Sequence, residues 1–106
     1  MSTSGVDAFY ITTHNWGATA KFLTGLGFTI DFETDHNSGQ LTAPEGPSIF
    51  VAEVPASEPT EISPVVRIDD EAGFDAPFAD THYGAREATL RDPDGRTWVV
   101  QAPGPR

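Results

Sequence analysis

Residues 6–12 read Val-Asp-Ala-Phe-Tyr-Ile-Thr, which puts Phe9 and Ile11 on one face of an extended segment and Ala8, Tyr10 and Thr12 on the other. This pattern predicts a strand. Asn15 then stands where a helix N-cap belongs, and Trp16, Ala20, Leu23 and Leu26 recur at helical spacing until Gly25 and Gly27 end the run. A helix of about ten residues should follow the first strand. Phe28, Ile30 and Phe32 alternate with Thr29, Asp31 and Glu33, predicting a half-exposed strand with the three apolar residues on one face. Asp35-His36-Asn37-Ser38-Gly39 supplies a turn, 40–43 a short strand, 44–47 another turn, and 48–54 a nearly continuous apolar strand. The first half reads β-α-β-β-β.

A polar segment with two prolines and no periodicity, 55–61, separates this half from a second. Residues 62–69 form a strand leading to Asp70, which is placed as a helix cap. Residues 85–91 form a further strand, Asp92-Pro93-Asp94-Gly95 a tight turn, and 96–101 the last strand. The second half repeats the first in outline but is shorter. The stretch between Asp70 and Tyr83 leaves space for one or two helical turns rather than a full helix and strand. The expectation is one domain over 1–106: a first module at about 5–54, a linker at 55–61 and a second module at about 62–102.

The chain of 106 residues carries 16 acidic against 6 basic side chains, a formal charge of −10, and contains no cysteine. The absence of cysteine excludes a disulfide scaffold, a thiolate nucleophile and any Cys-ligated metal site. So few Lys and Arg argue against nucleic acid and anionic membranes as partners, because both depend on clustered cations. No apolar run approaches the ~18 residues of a membrane span, and the opening Met1-Ser2-Thr3-Ser4-Gly5 lacks the regions of a signal peptide, so a cytoplasmic location is expected.

Two stretches carry a family likeness. Phe22-Leu23-Thr24-Gly25-Leu26-Gly27-Phe28 resembles the F-Y-x-x-L-G-F helix end of the vicinal oxygen chelate superfamily, which includes glyoxalases, extradiol dioxygenases and bleomycin-resistance proteins. Tyr83-Gly84-Ala85-Arg86-Glu87, followed by Leu90-Arg91-Asp92-Pro93-Asp94-Gly95-Arg96-Thr97-Trp98, resembles the stretch that closes its second module. The resemblance implies an α+β fold of two tandem βαβββ modules forming a U-shaped mixed sheet, here with the second module shortened. It also implies that each module lines half of a pocket and that metal ligands, where the family has them, stand at four inner-face positions. Those positions match Ala8, a place near Phe50, Ser63 and Val99. They form a poor donor set, since a divalent cation needs three or four N or O donors.

Strand parity instead gives the inner face a mostly apolar lining with a few polar groups, as a small-molecule site requires. The candidate ligand-binding residues are Tyr10, Trp16, Ser48, Phe50, Ser63, Arg67, Val99 and Gln101, with Tyr10 and Phe50 suited to stacking and Trp16 also readable as core. Arg67 must meet a protein carboxylate, a ligand anion or solvent at the cavity mouth, and an internal partner such as Glu87 or Asp69 is expected. No catalytic residue, metal or cofactor is assigned. The first reading is therefore a metal-free binding protein similar to the bleomycin-resistance branch, holding a cationic or aromatic small molecule and pairing as a homodimer. A second reading is a metal-dependent lyase, isomerase or dioxygenase with displaced ligands such as His14, His82 and Glu87. A third is an interaction module whose pocket is filled by its own side chains.

Overall fold

The computed structural model describes residues 3–71, 76–81 and 85–103. Among them are one helix and eight strands, an α+β fold with a mixed sheet. The chain divides into two compact units. One is Ala8–Ile62, and the other combines the N-terminal segment up to Asp7 with the chain from Ser63 onward. No helix of the described residues is long and apolar enough to cross a membrane.

The first unit holds most of β1 (Thr3–Thr13), then α1 (Trp16–Gly25), β2 (Thr29–Glu33), β3 (Ser38–Thr42) and β4 (Ser48–Glu53). Its strands lie in the order β2-β3-β4-β1, with β4 parallel to β1 and the other pairs antiparallel. A parallel pair needs a long crossover, and α1 with the β2-β3 hairpin provides it. The register Phe9↔Ile49 and Ile11↔Val51 sends these side chains to the face that α1 covers. There Trp16, Ala20 and Leu23 of the helix meet Leu41 and Val51, both at 0% exposure, with Ile11, Phe28 and Ile49 packed around them. Burial of that kind contributes about 1.5–3 kcal/mol for each large aliphatic side chain.

Both ends of α1 form for local reasons. Asn15 is extended and its side chain accepts from the Ala18 amide at 3.0 Å, as the sequence predicts for an N-cap. At the other end Gly27 turns to φ 108°, and the amides of Gly27 and Phe28 donate to the carbonyls of Thr24 and Leu23. This is a Schellman closure, and it explains the Leu-Gly-Phe sequence physically: glycine takes the left-handed residue and Phe28 folds back onto the core beside Leu23.

The second unit contains β5 (Ile62–Ile68), β6 (Ala79–Asp80), β7 (Arg86–Arg91) and β8 (Thr97–Ala102), in the order β5-β8-β7-β6. Here too the first and last strands are parallel and the rest antiparallel, so the connectivity of the first unit is repeated. Ile68, Val100 and Ala102 form its core, with Val66, Phe78 and Leu90 packed against them. The sequence predicts one or two helical turns rather than a full helix and strand between Asp70 and Tyr83, and within that stretch β6 forms as a two-residue strand paired through Ala79↔Glu87 and Asp80↔Arg86. The helical turns expected after Asp70 fall largely on 72–75 and 82–84, outside the described residues.

Two carboxylates organise this unit's turns. Asp92 Oδ1 accepts from the amides of Asp94 and Arg96, while its Oδ2 accepts from the Trp98 indole at 3.0 Å and from Arg96. Glu71 holds the Arg86 guanidinium at 2.6 Å and 3.0 Å through both carboxylate oxygens. That paired contact keeps Arg86 charged above the usual arginine range, with Asp80 adding to it.

Candidate functional site

On the face of the first unit's sheet that α1 leaves uncovered, Tyr10 of β1 pairs with Phe50 of β4, Phe50 with Gln40 of β3, and Gln40 with Phe32 of β2. One row thus crosses all four strands. The Tyr10 and Phe50 rings are stacked, with centroids 6.1 Å apart and planes inclined by 16°, and Phe32 lies 6.3 Å from Phe50 at 51°. Tyr10 remains 37% exposed and Phe32 45% exposed, so the row presents aromatic surface to solvent. Partial burial among these rings pushes the Tyr10 phenol above its ordinary value of 10.0.

Phe32 enters the row because the strand is irregular. Ile30 pairs with Leu41 and Phe32 with the very next residue, Gln40, so Asp31 is an extra residue in a β-bulge. The simple alternation had put Phe32 on the same face as Ile30; the bulge corrects this and turns Phe32 to the face of Phe50. It also brings Asp31 to Gln40, whose Nε2 donates to Asp31 Oδ2 at 3.1 Å. Asp31, Phe32 and Gln40 are therefore members of this face that parity counting missed.

The eight residues singled out from the sequence divide between the two units. Tyr10, Ser48 and Phe50 share the uncovered face of the first, with Ser48 paired to Ala8 one step along. Trp16 stands apart from them: it is buried to 9% exposure in the core under α1, its ring lying against Gly39. That placement makes it part of the helix-to-sheet packing rather than of the aromatic face. In the second unit Arg67 and Gln101 are register partners, Val99 pairs with Val65 and Thr89, and Ser63 is buried at 4% exposure. Arg67 meets Asp7 at 3.4 Å rather than the expected Glu87 or Asp69, and its Nε is buried without a hydrogen-bond partner. Glu87 instead accepts from Gln101 Nε2 at 2.7 Å.

The residues present do not suit the metal that the family resemblance implies. Of the four matched positions, Ala8, Phe50 and Val99 have no donor atom and only Ser63 offers a hydroxyl. Among the described residues no three His, Asp or Glu side chains are grouped so as to hold an ion. The displaced candidates have other duties: His14 Nε2 lies 2.7 Å from the Glu58 carbonyl, and Glu87 binds Gln101, while His82 falls outside the described residues. Glu53, at the end of β4, accepts from the Trp16 amide at 2.8 Å and so satisfies the start of α1.

No protein-family model and no curated protein matches the sequence. Solved structures do. A glyoxalase/bleomycin resistance protein/dioxygenase superfamily member from Vibrio splendidus 12B01 superposes with a TM-score of 0.70 at 16% identity, over 96% of this chain and 100% of that one. Methylmalonyl-CoA epimerase from Mycobacterium tuberculosis gives 0.75 at 12% identity, over 97% and 90%. A 2,2',3-trihydroxybiphenyl 1,2-dioxygenase from Sphingomonas wittichii strain RW1 gives 0.66 at 12% identity, over 97% of this chain and 43% of that longer one. With the repeated strand connectivity and the Schellman closure at Gly27, these likenesses establish that the chain has the fold of the glyoxalase/bleomycin resistance/dioxygenase superfamily.

Proposed function

We propose that the protein binds an aromatic or cationic small molecule without a metal, acting in the cytoplasm as a homodimer that sequesters an antibiotic or metabolite rather than transforming it. The observation that carries this reading is the row Tyr10, Phe50 and Phe32 on the uncovered sheet face. Aromatic surface left in water forgoes about 25 cal/mol for each Å² that a flat ligand would cover, and stacking adds about 0.5–1.5 kcal/mol per ring pair. Charge supports the same ligand class. Between Ala8 and Ile62 there are seven carboxylates and one basic side chain, Lys21, so this unit favours a cation over an anion. Phe22 of α1 and Leu26, which caps its C-terminus, are exposed at 65% and 64% and leave apolar surface that supports pairing between copies.

The alternative is a metal-dependent lyase, isomerase or dioxygenase, a reading to which the epimerase and dioxygenase among the fold neighbours lend support. A thermal-shift screen of planar aromatics and cationic glycopeptide antibiotics, run beside elemental analysis of protein purified without chelator, separates the two. A ligand at a hundred times its Kd raises stability by about 2.7 kcal/mol. Such a shift, unaffected by EDTA and with substoichiometric metal, is the expected result. One divalent ion per chain would overturn the reading.

A further inference from the structure

Resting on that reading, we infer that the Asp31–Gln40 pair is a polar specificity site beside the aromatic row, selecting ligands that present a protonated amine with N–H donors next to a flat ring. The bulge at Asp31 places a carboxylate and an amide where a regular strand would have neither in this relation. Gln40 stands between Phe50 and Phe32 in the register, and the two rings on either side of it lie 6.3 Å apart, so the Gln40 side chain belongs to the same face as the aromatic row. Its Nε2 is committed to Asp31 Oδ2 at 3.1 Å. An amide has one oxygen and one nitrogen, so fixing the nitrogen on Asp31 leaves the oxygen as an acceptor turned from the carboxylate.

The pair therefore offers acceptors only: the Gln40 oxygen and the remaining lone pairs of an exposed carboxylate. Asp31 has no basic partner among the described residues, and the one basic side chain between Ala8 and Ile62, Lys21, sits on α1, which packs on the opposite sheet face. A neutral aromatic ligand without a donor would cover Phe50 and leave these acceptors unused, and a neutral hydroxyl would meet them without the charge. An acid would be repelled. A primary or secondary ammonium on a short arm from the ring supplies both the charge and the N–H groups, and charge-assisted hydrogen bonds are roughly twice as strong as neutral ones.

Calorimetric titration of the full chain with three naphthalene probes tests this: 1-naphthylmethylammonium, its N,N,N-trimethyl analogue and 1-naphthylmethanol. The expected order is the primary ammonium at least tenfold tighter than either of the others, with Asp31→Asn reducing that preference below threefold. Gln40→Leu should act in the same direction. Equal binding of all three probes to the native protein, or a preference that survives Asp31→Asn, would overturn the specificity site and leave the aromatic face standing. Equal binding of the two ammonium probes, both tighter than the alcohol, would assign selection to charge alone and also overturn it. Absence of binding by every probe, with Phe50→Ala indistinguishable from the native protein, would remove the parent reading and this inference with it.

Discussion

A methyl group added to Gly39 would stand 2.7 Å from Cη2 of Trp16 and 2.6 Å from the Phe32 carbonyl oxygen. The Trp16 ring thus lies against β3 because that strand has no side chain there. Gly39→Ala should destabilise the fold by about 1–3 kcal/mol, the usual cost of overpacking. Shrinking the ring in Gly39→Ala/Trp16→Leu should not restore stability, since the backbone oxygen remains in the way. Urea denaturation of the two single variants and the double variant checks this.

The start of α1 is satisfied by two side chains from different parts of the chain. Asn15 accepts from Ala18, and Glu53, at the end of β4, accepts from the Trp16 amide. Asn15→Ala should cost about 0.5–2 kcal/mol as a lost cap. Glu53→Ala should also destabilise, and because both variants act on the same helix end, their energies should fall short of additive when combined, a difference readable from a double-mutant cycle.

Asp92 holds the last hairpin. The Trp98 indole above all, and then the Arg96 backbone and side chain and the Asp94 amide, keep its carboxyl near 2, down from 3.8, against an opposing effect of desolvation. A carboxylate whose pKa is depressed on folding stabilises the native state above its unfolded value. That contribution fades as pH falls from about 4 toward 2. The melting temperature should therefore drop more steeply across this window in the native protein than in Asp92→Asn, which should already be less stable at pH 7. Scanning calorimetry at pH 2, 3, 4 and 7 measures both slopes.

The aromatic row makes its own prediction about two hydroxyl-free substitutions. Tyr10→Phe keeps the stacked ring and should leave affinity for a planar probe within about twofold, whereas Phe50→Ala removes the ring common to both contacts and should weaken it by about tenfold, roughly 1.4 kcal/mol. In an alkaline absorbance titration, one of the two tyrosines should ionise above the ordinary phenol range. That late phase should disappear in Tyr10→Phe and move further up when the probe covers the ring.

Local signals were legible along the chain. Alternation gave the strands their faces, so that Tyr10 and Phe50 fall together and Ile11, Ile49 and Val51 pack under α1, while Asn15 and Gly27 mark the helix ends. These properties depend on residues a few positions apart, and a period of two or 3.6 is written directly in their order. The polar details were not legible. One extra residue at Asp31 reverses the face of Phe32, Glu53 reaches the helix from a strand 37 residues away, and Arg67 meets Asp7 from 60 residues away. Each depends on which strands become neighbours and in what register, a choice set by the burial of whole faces at once. Composition could name the kinds of group available to a ligand, but their arrangement came into being only when distant strands paired.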